Sequence, residues 1–276
     1  MLDIQISDHF SRSVELEYDF STGNRVKSYL VTSKARELLG RMEQVCTNQG
    51  GGAFSIIGTY GSGKSAFALF AASLLTRESA AKNKLGTADK KLAIRVDRCF
   101  PLPLFPILVT GRREGIAHSI LRGLKGGVSR VPVQSKADQK LVTSLNRRIA
   151  NGLKTASFID HGIVLSIIDD LESLTSRTGS GGLFLVVDEL GKLLEHASLH
   201  PEKSDVYLLQ LLAERSIRRQ SDGAGCFLFV TILHQAIERY ATRLASGQKD
   251  EWKKVQGRFE DFAFVEPVDE TIRLLS

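Results

Sequence analysis

Eight consecutive residues, Gly58-Thr59-Tyr60-Gly61-Ser62-Gly63-Lys64-Ser65, match the pattern GxxxxGK[ST], and each defined position of that pattern answers to phosphate chemistry. The glycines let the backbone curl so that successive N–H groups converge on phosphate oxygens. A helix opening at Ser65 adds the favourable dipole of its N-terminus. Lys64 is placed to reach β- and γ-phosphates, and the Ser65 hydroxyl to ligate Mg2+. The apolar run Phe54–Ile57 immediately upstream reads as a buried strand, so the motif stands in the strand–loop–helix setting this chemistry requires. Gly58, Thr59, Tyr60, Gly61, Ser62, Gly63, Lys64, Ser65 and Ala66 are therefore the expected nucleotide contacts.

A second constellation lies far downstream. Leu183-Phe184-Leu185-Val186-Val187 is a fully apolar run that ends in Asp188-Glu189. A carboxylate at such a strand tip suits Mg2+, usually through water, and this role falls to Asp188 together with Ser65. Glu189 beside it is suited to polarise an attacking water as general base. By itself an apolar strand ending in two acids is a common surface turn; the phosphate loop upstream is what favours the catalytic reading. The pair also favours ATP hydrolysis over phosphoryl transfer to a small molecule.

The two motifs, in this order, resemble the additional-strand, catalytic-glutamate branch of P-loop ATPases, and the chain from Val31 onward resembles its AAA+ members. The resemblance implies a three-layer α/β fold with a mostly parallel central sheet, ATP and Mg2+ as ligands, and a hydrolase. It makes Cys226–Leu233 the sensor strand lying between the strands of the two motifs, with Thr231 and His234 as sensors of the γ-phosphate or of the attacking water. The run Val255-Gln256-Gly257-Arg258-Phe259-Glu260 resembles the segment whose arginine reaches a neighbouring subunit's ATP, so Arg258 is the candidate finger. Plain structural roles stand beside these: a salt bridge of Arg258 with Glu260 or Asp261, a core histidine at 234, an ordinary strand threonine at 231. Arg239 and Arg243 compete for the finger role. The family normally continues into a helical lid; residues 268–276 read as its first turns, so the lid is expected to be truncated or absent. The expected division is an arm at 1–30, an ATPase core at 31–268 and the start of a lid at 269–276. Runs such as Asp188-Glu189-Leu190-Gly191-Lys192-Leu193-Leu194-Glu195 also resemble large ATP-binding proteins of bacterial phage-defence clusters. That likeness implies a switch or motor in a DNA-directed complex, the alternatives being a nucleotide-gated scaffold and a DNA-binding initiator or loader. A homo-oligomer or a subunit of a multi-protein complex is the implied assembly.

Positioning these residues takes alternating strands and helices. Short apolar strands are expected at Ala53–Ile57, Phe105–Thr110, Leu183–Val187, Cys226–Leu233 and Phe262–Val265, and their continuous hydrophobicity argues for a parallel sheet covered on both faces. Helical spacing marks Thr32–Val45, Ser65–Thr76, Gly115–Leu124, Ala137–Leu153, Gly162–Thr175, Leu190–Ala197, Ser204–Arg218 and Gln235–Trp252. In the helix at 162–175, Ile163, Ile167, Leu171 and Leu174 share one face. Residues 1–30 read as a polar arm or extended segment, and Lys82–Lys91 as a charged loop.

Composition narrows the class. At 276 residues, 42% hydrophobic and 25% charged, the chain can build a sizeable core. No apolar run is long enough to cross a bilayer and no basic, apolar leader opens the chain, which leads us to expect a cytoplasmic protein without a membrane partner. Cys46, Cys99 and Cys226 are distant in sequence and form no CxxC, as suits reduced thiols. Glu195, His196 and His200 lack the partners a zinc site needs. Asn83-Lys84-Leu85-Gly86 lacks the aspartate of the guanine-reading NKxD motif. The net charge of +6 is uneven: between Gly111 and Lys154 ten basic residues face two acids, a local net of +8 that can attract phosphate backbones. Arg112 and Arg113, just past the second strand, are the first candidates to touch duplex DNA.

Overall fold

The computed structural model describes residues 14–49, 51–155, 159–218, 225–242 and 244–265. It opens with two short helices, α1 (Leu16–Thr22) and α2 (Asn24–Ser28), joined at Gly23, whose φ of +64° suits a residue without a side chain. Over residues 14–30 the expectation of an extended segment is corrected; residues 1–13 lie outside the described residues. Leu16 and Val26 are almost fully buried, because even a mostly polar stretch folds when its few apolar groups meet a receptive surface.

After α3 (Ser33–Gln49), β1 (Gly52–Ile57) leads into α4 (Lys64–Leu75), which is buried on nearly every side. Phe67 and Phe70 of α4 have no exposed surface, and burying each such ring contributes about 1.5–3 kcal/mol. The expected loop at 82–91 is instead two helices, α5 (Ser79–Ala88) and α6 (Lys90–Cys99). Lys90 and Lys91 are exposed and Lys82 and Lys84 half-buried, while Ala81, Leu85, Leu92 and Val96 face the core, and the Asp89 carboxylate caps α6 by accepting from Leu92 N at 2.9 Å.

β2 (Phe105–Thr110) is followed by α7 (Ile116–Ser129), α8 (Lys136–Lys154) and α9 (His161–Arg177). In α9 the inward row starts at Val164, and Ile163 is exposed, a one-residue correction of the expected face. β3 (Gly182–Asp188), α10 (Leu190–Leu199), a 3-10 turn at Pro201–Lys203 and α11 (Tyr207–Arg218) precede β4 (Cys226–Leu233). The single helix expected at 235–252 is broken into a 3-10 turn, Ile237–Ala241, and α12 (Ser246–Gln256). The Tyr240 hydroxyl lies beside the backbone of His234 and Gln235 and is wedged against Gly191, which sets the turn against the end of β4. The last strand, β5 (Glu260–Ala263), begins two residues earlier than its apolar pattern suggests.

All five strands are parallel, in the order β2-β3-β4-β1-β5. One face of the sheet buries Ile107, Leu185, Val187 and Phe229 against α7, α9, α10 and α11; the other buries Phe54, Phe184, Val186 and Val230 against α1, α3, α4 and α6. The result is the expected three-layer α/β architecture, compatible with a P-loop NTPase core. No helix among the described residues is long and apolar enough to cross a membrane. Residues 269–276, where a lid was expected to begin, lie outside the described residues.

Candidate functional site

β1 delivers the chain to Gly58 at the carboxyl edge of the sheet, where crevices of parallel sheets bind ligands. The loop is clamped from both sides. Gly58 N donates to Leu233 O at 3.2 Å, Phe264 N donates to Ile57 O at 2.7 Å, and a Cβ at Gly58 would run into the Phe264 carbonyl. Gly61 and Gly63 hold φ of +76° and +89°, a left-handed backbone that side chains resist. The loop then feeds α4. Lys64 folds back over it, its ammonium donating to Gly58 O at 2.7 Å, Thr59 O at 2.6 Å and Ser62 Oγ at 3.3 Å. Burial lowers the Lys64 pKa, while Asp188 and Glu189 pull it upward.

Strand order brings the acidic pair beside this loop. β4 lies between β1 and β3, so the ends of all three strands meet at one edge, as the resemblance implied for Cys226–Leu233. Asp188 is 5% exposed and lies beside the Ser65 side chain, with its Oδ1 accepting Glu189 N at 2.8 Å. Burial raises its pKa, and the Ser65 and Glu189 hydrogen bonds and Lys64 oppose that rise. Glu189 itself has φ +56°, a conformation uncommon for a residue with a side chain, and it starts α10. Its Oε2 lies 3.4 Å from Lys192 Nζ and 3.5 Å from His234 Nε2.

The sensor candidates part company. Thr231 pairs with Ser55 in the β1–β4 register and is fully buried; its hydroxyl lies 2.9 Å from Ser55 Oγ and also donates to Phe54 O at 3.3 Å. It sits inside the sheet, and His234 is the polar group from this strand that reaches the loop. The His234 ring stacks on Tyr60, centroids 3.4 Å apart, and its Nδ1 is buried without a hydrogen-bond partner.

Arg112 and Arg113 are exposed on the loop following β2, whose end is tied to β3 by Gly111 N donating to Asp188 O at 2.8 Å. Arg113 lies 3.9 Å from Glu195. Arg258 is at the other end of the sheet. It precedes Glu260, which pairs with Phe54, four residues or about 13 Å of strand before Gly58. Its ion pair is with Glu214 at 3.2 Å; Glu260 contacts Arg41, and Asp261 accepts from Gln256. Arg239 is exposed on the 3-10 turn, and Arg243 lies outside the described residues.

Sequence reasoning missed Lys192 and Phe264. Lys192 was legible as the i+3 neighbour of Glu189 once α10 is placed, but the part of Phe264 depends on β5 lying beside β1. Among the described residues no three His, Cys, Asp or Glu side chains converge as a metal-binding set. Hard-cation chemistry here would rest on Ser65 and Asp188, with water and phosphate completing the shell.

No family model matches the chain, and no curated protein or solved structure does either.

Proposed function

We propose that the chain binds ATP with Mg2+ and hydrolyses it to drive a conformational switch or motor. The observation that carries this reading is the meeting of two sequence-distant groups: the Ser65 side chain, at the end of a glycine-rich loop, lies beside Asp188 at the tip of a strand two places away in the sheet. A hydroxyl beside a buried carboxylate short of compensating charge fits a hard divalent cation. Bound there, Mg2+ would draw charge from the transferring phosphate. The Lys64 ammonium would exchange its loop carbonyls for phosphate oxygens, and loop amides would hold the rest of the phosphate chain. Glu189 would take the proton from the water attacking in line, with His234 orienting the Glu189 carboxylate. Arg258, too far from its own loop, would act on a neighbouring copy of the chain.

A second reading is supported by the state of Glu189. Its carboxylate is engaged by Lys192 and His234, contacts it would have to give up to act on water as a base. A protein resting in this state binds nucleotide and turns over slowly, as a nucleotide-gated scaffold.

Steady-state ATP hydrolysis with Mg2+, over a protein concentration series, tests both. Glu189→Gln is expected to keep ATP binding and lose about 10²–10⁴-fold in turnover, the usual worth of a general base. Equal turnover in both proteins removes Glu189 as the base. Tight binding with negligible wild-type turnover supports the scaffold, and failure to bind ATP overturns the nucleotide reading itself.

A further inference from the structure

The ten cations between Gly111 and Lys154 fall into three sets in the fold. Four are occupied: Arg113 with Glu195, Arg122 with Glu114, Arg130 with the Pro106 carbonyl and the Phe20 ring, and Arg148 with Asp170 and Ser166. Arg112, on the loop after β2, and Lys125, on α7, are exposed. The other four, Lys136, Lys140, Arg147 and Lys154, are all on α8, all exposed, and none makes an ion pair with a described residue. At 3.6 residues per turn they lie within about 40° of one another, in a straight row about 27 Å long. Leu145 and Ile149 are on the opposite side of the helix, packed towards α7 and α9, so the row faces outward. The helix's one acid, Asp138, is turned inward, bonded to Ser135 at the N-terminus and to Arg177 at 3.4 Å. Gln139, Thr143, Asn146 and Asn151 complete the outward surface, which carries no large apolar or aromatic residue.

We infer that this face of α8 is a docking surface for the phosphate backbone of duplex DNA. A cationic row without acids recruits a polyanion by releasing its counterions. Amide and hydroxyl side chains among the cations suit phosphate and sugar oxygens. The absence of apolar residues disfavours insertion into a lipid surface, and the absence of aromatics disfavours the base stacking that holds single strands. A rigid helix fits against B-form DNA, whose major groove admits one, better than against A-form RNA, whose major groove is too narrow. The surface stands apart from the nucleotide site and needs neither ATP nor Mg2+.

Fluorescence anisotropy with a labelled 30-base-pair DNA duplex, without nucleotide, tests the assignment. Four phosphate contacts give a slope of about −3.6 in log K against log salt, a loss of about 150-fold between 50 and 200 mM. The variant Lys136→Gln/Lys140→Gln/Arg147→Gln/Lys154→Gln is expected to lose that slope and at least about tenfold in affinity at 50 mM salt. A control with the same charge removed elsewhere, Lys90→Gln/Lys91→Gln/Lys253→Gln/Lys254→Gln, is expected to bind within about twofold of wild type, because contacts and not net charge set the slope. No wild-type binding at 50 mM, unchanged binding by the α8 variant, an equal loss in the control, or tighter binding of an RNA duplex overturns the inference. ATP hydrolysis measured on the same samples separates this result from the fate of the nucleotide reading.

Discussion

Asp188 carries its charge against its surroundings: burial raises its pKa, and the hydrogen bonds from Ser65 and Glu189 and the Lys64 charge only partly compensate. An acid whose folded pKa is raised destabilises the nucleotide-free fold at pH values above that pKa, and the cost fades as pH falls into the carboxylate range. Asp188→Asn keeps an oxygen for both donors and removes the charge. It is expected to raise the melting temperature at pH 7.5, at about 2–4 °C per kcal/mol for a chain of this size, with the gain shrinking towards pH 5. In the same variant Mg2+-dependent hydrolysis should disappear, the trade-off expected where a functional group is strained. A lower melting temperature at pH 7.5 would show that the carboxylate is satisfied after all. Cys99 offers a second residue-scale check. A hydrogen bond from Cys46 outweighs burial and, with help from Thr47, brings the Cys99 thiol down to about 7, while the Cys46 thiol is pushed well above its ordinary value. Alkylation followed by peptide mass spectrometry should find Cys99 modified first, with a rate midpoint near pH 7, and Cys46 last; Cys46→Ala should move that midpoint upward. A midpoint in the ordinary thiol range would exclude the hydrogen bond.

Helices here are held by close approach to the sheet more than by intrinsic propensity. Gly123 of α7 shows the balance. Alanine is favoured over glycine inside a helix by about 1 kcal/mol, yet a Cβ at Gly123 would collide with Val109 and come within 2.8 Å of the Leu108 carbonyl, a backbone atom that cannot step aside. Overpacking of this kind costs about 1–3 kcal/mol, so Gly123→Ala should lower the denaturant midpoint without changing the slope of the transition. A rise in the midpoint would mean that α7 can lift off β2 freely. The same dependence on context explains which elements were misjudged from the sequence. α5 and α6 look like a charged loop because only one side of each is apolar, and their neighbours decide that this side is enough. The 3-10 turn before α12 keeps a helical apolar spacing through Ile237, Tyr240, Ala241 and Leu244, so nothing local announces the break.

For the molecule as a whole, the position of Arg258 matters most. It lies at the sheet edge opposite the phosphate loop, so any action on ATP requires a second copy of the chain. Arg258→Ala should leave ATP binding intact and cost no more than about 1 kcal/mol of stability, since its pair with Glu214 is half exposed. Turnover should fall by at least about a hundredfold, and the steeper-than-linear rise of wild-type activity with protein concentration should vanish. Hydrolysis that is linear in protein and indifferent to the substitution would dispose of a trans-acting arginine. The glycine-rich loop, the apolar strands with Asp188 at the end of one, and the helix after Lys64 were legible in the sequence, because each is a pattern confined to a few adjacent residues and buried parallel strands are apolar without interruption. Where Thr231 and His234 end up was not, since one residue of strand register separates an interior hydroxyl from a side chain at the loop. Nor could spacing show that three cysteines far apart in the chain come together, that Glu189 lies beside His234, or which of ten cations stay unpaired. Those facts arise where crossover connections bring sequence-distant segments together, and only the tertiary structure decides them.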